Sequence, residues 1–237
     1  MRWTMPCLAL DPFLMAHFSP EFHAFFAGLE AHNDRDWYAD HKKQYEQHVR
    51  DPFKAFVTAV IAACAERDAD FADVEAKQCV FRIHRDTRFS KDKTPYKTHA
   101  SANIAPGGKK SGDPGLYVHA DAHHLRIGGG AYWVEKDDLY VLRERMASNP
   151  QAFNDLIADT AFTSHYGAVL GERNVRLPKE FQSAAEACPH IHNKQFYFMA
   201  ELPADTLLRE DLLDIVMAHF EAAAPLRSYL REGLRAG

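Results

Sequence analysis

The sequence predicts an α+β fold: a single domain with an antiparallel β-sheet of about four to six strands, flanked by N-terminal and C-terminal helices. Three observations predict it. Apolar residues recur every three or four positions at both ends of the chain, they alternate with polar residues in the middle, and the alternating segments follow one another through short links. Helices gathered around a run of strands make an α+β domain rather than βαβ units, and short links make neighbouring strands antiparallel. A chain of 237 residues is long enough to bury a sizeable core in one such domain.

Residues 1–15 read as a leader outside the fold, so that the domain spans 16–237. Asp11 and Pro12 interrupt the leader's apolar runs, and no apolar stretch approaches the ~20 residues that crossing a bilayer needs. Helix signals begin at Ser19, a good N-cap, with Pro20 at the first helical position and Phe22, Phe25, Phe26 and Leu29 on one stripe. Asn33 and Asp34 punctuate. A second helix carries Trp37, Tyr38, His41, Tyr45 and Val49 until Asp51-Pro52 breaks it, and a third covers 53–65. The period then drops to two. From Cys79 to Asp86, Cys79, Phe81 and Ile83 fall on one side of a strand and Arg82, His84 and Asp86 on the other. Strands follow at 98–104, with His99, Ser101 and Asn103 on a polar face, and at 116–120 and 125–133. The glycine- and proline-rich run 106–115 reads as a loop. Helices resume at Asp137 and at Pro150, a late strand covers 195–202, and one helix runs from Asp205 to about Leu234.

Composition narrows the function classes. Four cysteines, at 7, 64, 79 and 188, have no C-x-x-C spacing, so neither a disulfide framework nor a zinc knuckle is signalled, and a reducing, cytoplasmic setting is expected. A formal net charge of −5 with a pI near 6.3 argues against nucleic acid as a partner, because a coat on nucleic acid needs spread basic surface. No membrane partner and no cofactor are expected, and the oligomeric state is left open. Within this acidic chain, residues 78–110 hold eight Lys or Arg against Asp86 and Asp92 alone. Such a block selects an anionic partner.

The expected ligand is therefore a small anion bearing phosphate or carboxylate, held at the motif 81–99 by Arg82, Arg85, Arg88, Lys91, Lys93 and Lys97, with Tyr96 stacked on a ligand ring. One alternative is a phosphoryl or acyl hydrolase in which Asp86 or His84 is the catalytic base and the same cations stabilise developing charge. Another is a protein-interaction module whose cations pair with Asp34, Asp36, Asp40 and Glu46 and bind helix to sheet. His84, His99 and His119 lack a recognised metal spacing, so no metal is expected. Ser90-x-x-Lys93 lacks the companion motifs of acylating serine enzymes. The string Gly107-Gly108-Lys109-Lys110-Ser111 lacks the first glycine and the following helix of a phosphate loop.

The string FRIHRDTRFSKDKTPYKTH, residues 81–99, resembles the signature of the uncharacterised family known as domain of unknown function 2461, of the form FR-x-x-RD-x-RFS-x-DKTPYKT. Echoes continue at Arg35, Trp37 and Tyr38, at Gly128 to Gly130 with Tyr132, Leu139 and Arg143, and at Arg176 to Lys179. The likeness covers about residues 16–230 and implies no activity. His84 stands where an aromatic residue is common, so the resemblance lends no support to histidine chemistry.

Overall fold

The computed structural model describes residues 16–235, so the expected leader at 1–15 lies outside the described residues. Four strands, β1 (His99–Ile104), β2 (Gly115–Asp121), β3 (His124–Ala131) and β4 (Phe196–Pro203), form one antiparallel sheet in sequence order. Helices α1 (Glu21–Ala31), α2 (Arg35–Tyr45) and α3 (Asp51–Arg67) precede it. Helices α4 (Lys136–Ser148), α5 (Pro150–Ala158) and α6 (Thr160–Tyr166) lie between β3 and β4, and α7 (Leu212–Ala222) and α8 (Ala224–Arg235) follow. The α+β architecture read from the sequence is the architecture observed.

Register sorts the sheet into two faces. Ala102 pairs Val118, Val118 pairs Ile127 and Ile127 pairs Ala200, and Gly129 pairs Phe198. These positions and their period-two neighbours form an apolar face. One end is covered by α1, α3 and α7, which bury Phe22, Phe26, Phe53, Phe56 and Phe220 against it. The other is covered by α4, α5, α6 and α8 through Leu142, Phe153, Phe162 and Leu230. The opposite face carries His99, Ser101 and Asn103 of β1, Tyr117 and His119 of β2, Arg126 of β3, and Tyr197 and Met199 of β4. Among the described residues no helix lines the cavity on it, and its floor is low because Gly128 sits between Tyr117 and Met199 in the register.

Four local expectations are corrected. The Ser19 side chain makes no cap bond to α1, whereas Asp34 accepts from the backbone N–H groups of Asp36 and Trp37 and starts α2. Asp51-Pro52 does not break the helix. A π turn at Glu46–Arg50 joins α2 to α3, and Pro52 falls in the first turn of α3, where its missing N–H costs nothing. The segment 79–86 is not a strand: Ala76–Cys79 is a helical turn, and the chain then makes isolated bridges at Val80↔Ala102 and His84↔Tyr96. Finally, 205–234 is two helices, with Ala223 and Pro225 at the joint, preceded by a 3-10 turn at Ala204–Leu208.

Beyond α6 the chain from 167 to 195 forms only short turns, anchored in the core by Val169, Phe181, Cys188 and Ile191 and tied down by hydrogen bonds. Buried Arg143 donates from Nε to Ile191 O (2.9 Å) and from Nη2 to Asn193 O (3.3 Å), satisfying carbonyls that no strand would reach. Among the described residues Cys64, Cys79 and Cys188 are free and buried, and no helix is long and apolar enough to cross a membrane.

Candidate functional site

The motif 80–98 runs along the outer edge of β1 as an irregular hairpin. Phe81 N–H donates to Ser101 O, Arg85 N–H to Pro95 O, and Lys97 N–H to Ile83 O. Between the two bridges one arm advances four positions, from 80 to 84, and the other six, from 96 to 102. The surplus is a bulge, a device that re-aims side chains next to sites. Here it falls at 98–100, opposite Arg82 and directly after Lys97.

Two cavities meet at that bulge. The first, about 430 Å³, lies on the open sheet face, with Ser101, Asn103, Tyr117, Tyr197 and Met199 as its floor and Trp133 at its rim. The second is a groove of about 1110 Å³ between the motif and the helices α2 and α3. Phe81, Lys97 and Lys109 line both. Lys97 Nζ stands 5.0 Å and Lys109 Nζ 5.8 Å from the centroid of the Phe81 ring, cation–π distances that fix both ammonium groups at the junction. Lys109 Nζ also donates to Val80 O at 2.6 Å. Burial, and then the charges of Arg82 and Lys109, push the Lys97 ammonium below its usual pKa.

The groove is strongly positive. Eight cationic side chains line it against two carboxylates, Glu46 and Asp86. Both carboxylates are engaged, Glu46 with Arg50 at 2.7 Å and Asp86 with Arg88 at 2.6 Å, and Lys77 is paired with Glu75. The remaining six, Lys42, Lys54, Arg82, Lys97, Lys109 and Lys110, form no ion pair among the described residues. Lys42 and Lys54 share their helical face with Tyr38, Glu46 and Arg50, at spacings of four residues. Four residues overshoot an α-helical turn by roughly 40°, so such a stripe would wind away; the wider π turn at 46–50 brings it back.

The predicted cation cluster divides. Arg82 and Lys97 line the groove. Arg85 is tied to Asp92 and Thr94, and Arg88, 77% exposed, forms a two-pronged pair with Asp86. Lys93 donates to Thr87 O at 2.8 Å, and Lys91 is exposed and lines neither cavity. The expected pairing with Asp34, Asp36, Asp40 and Glu46 does not form, because Asp34 caps α2 and Glu46 holds Arg50. Tyr96, expected to stack on a ligand, is buried and stacks on Tyr38 at 4.2 Å, while Asn33 grips its backbone N–H and C=O.

The two proposed bases are not brought into one reactive pair. His84 packs edge-on against Tyr96 and Tyr38. Hydrogen bonds from Arg88 hold the Asp86 carboxyl at about 2, a weak base. A different network lies on the sheet's open face. Tyr117 OH is 3.2 Å from His119 Nδ1, His119 Nε2 is 3.2 Å from Asp121 Oδ2, and Arg126 Nη1 donates to that same oxygen at 2.7 Å. His99 stacks on His119 at 4.0 Å. Burial, then the neighbouring His119, brings the His99 pKa down to about 3, and burial also lowers that of His119, so both rings are neutral at pH 7. Among the described residues, no group of three or more His, Cys, Asp or Glu side chains is placed to hold a metal ion.

A family model described as "Conserved hypothetical protein (DUF2461)" matches residues 21–229 of the chain, and no curated protein matches it.

Proposed function

We propose that this chain, which belongs to the DUF2461 family of conserved hypothetical proteins, binds a phosphate- or carboxylate-bearing anion where the basic groove meets the sheet-face cavity. One observation carries the reading: Lys97 is half-buried beside Arg82 and Lys109 without a carboxylate partner among the described residues. Burying an unpaired cation among like charges costs stability, and an arriving oxyanion removes that cost. Guanidinium and ammonium groups from three parts of the chain then supply charge-assisted hydrogen bonds.

The test is thermal unfolding of the chain in increasing sodium tripolyphosphate. Binding to the folded state raises the melting temperature by mass action. The rise should shrink in Lys97→Met and Arg82→Met. An unchanged melting temperature for the parent, or equal protection in both variants, would remove the proposal.

A second reading, hydrolysis, is favoured by the Tyr117–His119–Asp121 network, whose Tyr117 lines the sheet-face cavity. Tyr117 would take a proton from an attacking water while passing its own hydroxyl proton to Nδ1 of the neutral His119. Phosphate release from a general phosphomonoester, present in the parent and absent in His119→Asn, would support it; no release by the parent would not.

A further inference from the structure

We infer, building on the anion reading above, that the ligand is the end of a single-stranded oligonucleotide: its terminal nucleotide enters the sheet-face cavity and the phosphates behind it follow the basic groove. The junction sets the geometry. A ligand occupying both cavities passes Phe81, Lys97 and Lys109, which line both. The groove behind holds the other cations unpaired among the described residues, Lys42 and Lys54 on the helices, Arg82 on the hairpin and Lys110 on the loop. A single phosphate meets two or three of these. Repeated charge along a chain meets all of them.

The sheet-face cavity is of another kind. Lys97 and Lys109 bring charge only where it joins the groove; elsewhere its charged ends are settled, with Asp113 facing Arg235 at 3.5 Å and His99 neutral at pH 7. What remains is ring faces, from Tyr117, Tyr197 and Trp133, and short hydrogen-bonding groups, from Ser101, Asn103 and Ser111. Ser111 Oγ is buried with no hydrogen-bond partner among the described residues, which leaves polar capacity in the cavity wall. Stackable faces beside neutral donors and acceptors suit a base, whereas a bare polyphosphate would leave them unmatched. At about 430 Å³ the cavity has the size of a small-molecule pocket. The acidic remainder of the chain confines nucleic acid to this groove, so the inference is of end capture and not of coating.

Calorimetric titration of the full chain at low salt distinguishes the possibilities, using sodium tripolyphosphate and an oligothymidylate of about 20 nucleotides, linear and circularised. The linear chain should bind more tightly than the circle, which has no end. Trp133→Ala should weaken the linear chain by about fivefold or more, the loss of one stacked base, and leave tripolyphosphate unchanged. Equal binding of line and circle, or no effect of Trp133→Ala, overturns the end-capture inference while tripolyphosphate binding sustains the anion reading. Binding of tripolyphosphate alone has the same meaning. Binding of none of the three overturns both.

Discussion

Asp121→Asn tests whether the electrostatics of the sheet's open face are as the structure draws them. Burial alone would raise the Asp121 pKa. The backbone N–H groups of His123 and His124, each at 2.7 Å, together with Arg126 and His119, outweigh burial and hold it at about 2. Against an ordinary value of ~3.9, a depression of about two units corresponds to ~2.5 kcal/mol of stability at neutral pH. Asparagine keeps a carbonyl oxygen for the two N–H groups but presents no charge to Arg126. The expected destabilisation at pH 7 is therefore ~2 kcal/mol, read from urea unfolding of parent and variant. The sign of the pH dependence follows from the depressed pKa. The carboxylate's contribution is complete above the unfolded value and is lost as pH falls through the folded one, so the difference between parent and variant should be constant from pH 7 to about 5 and roughly halved by pH 3. A difference that is absent at pH 7, or that does not shrink by pH 3, would refute the network.

Three further outcomes are expected. Lys97→Met should unfold at the same or a higher urea concentration than the parent while tripolyphosphate affinity falls about tenfold or more, the loss of one charge-assisted hydrogen bond; because the parent's Lys97 pKa is lowered in the fold, the parent alone should gain stability as pH rises toward the ordinary lysine value. Arg88→Ala should leave the urea midpoint nearly unchanged and tripolyphosphate affinity intact, since its pair with Asp86 is exposed and lies outside the cationic set; a lost response in a folded variant would return Arg88 to the site. Gly130→Ala should lose about 2 kcal/mol or more in urea unfolding, because Gly130 has φ +97° and a Cβ there would stand 2.2 Å from Phe196 O; a variant as stable as the parent would contradict the register of β3 against β4.

The helices and sheet were legible because their signals are local. Phe22, Phe25, Phe26 and Leu29 mark a buried stripe whatever they pack against, and Val118 and Ile127 alternate with polar neighbours because one sheet face is covered. The joints were not legible. Pro52 reads as a breaker unless it lies in a helix's first turn, and whether it does depends on a π turn that backbone hydrogen bonds, not side-chain pattern, define. Likewise, Arg143 anchors the 191–193 segment through carbonyl oxygens, which leave no trace in a sequence.

The cationic site was legible in its nature and only partly in its membership, and the reason is distance along the chain. Clustering in sequence selects cations that lie near one another on the hairpin, and the same proximity puts Asp86 and Asp92 within their reach; a two-residue spacing lets Asp86 hold Arg88, and a turn lets Asp92 hold Arg85. A cation escapes such local pairing when its neighbours in space are distant in sequence. Lys42 and Lys54 on the helices, Lys97 beside the bulge, and Lys109 and Lys110 on the loop meet that condition. Their signal was available in part, as lysines at multiples of four residues on the same helical side as Tyr38, although only the π turn makes that side straight. The bulge works in the same direction. It spoils the period-two pattern of the motif, and by spending two extra residues opposite 80–84 it places Lys97 at the Phe81 ring, where both cavities open. The failure of strict alternation and the position of the proposed anion site thus have one structural origin.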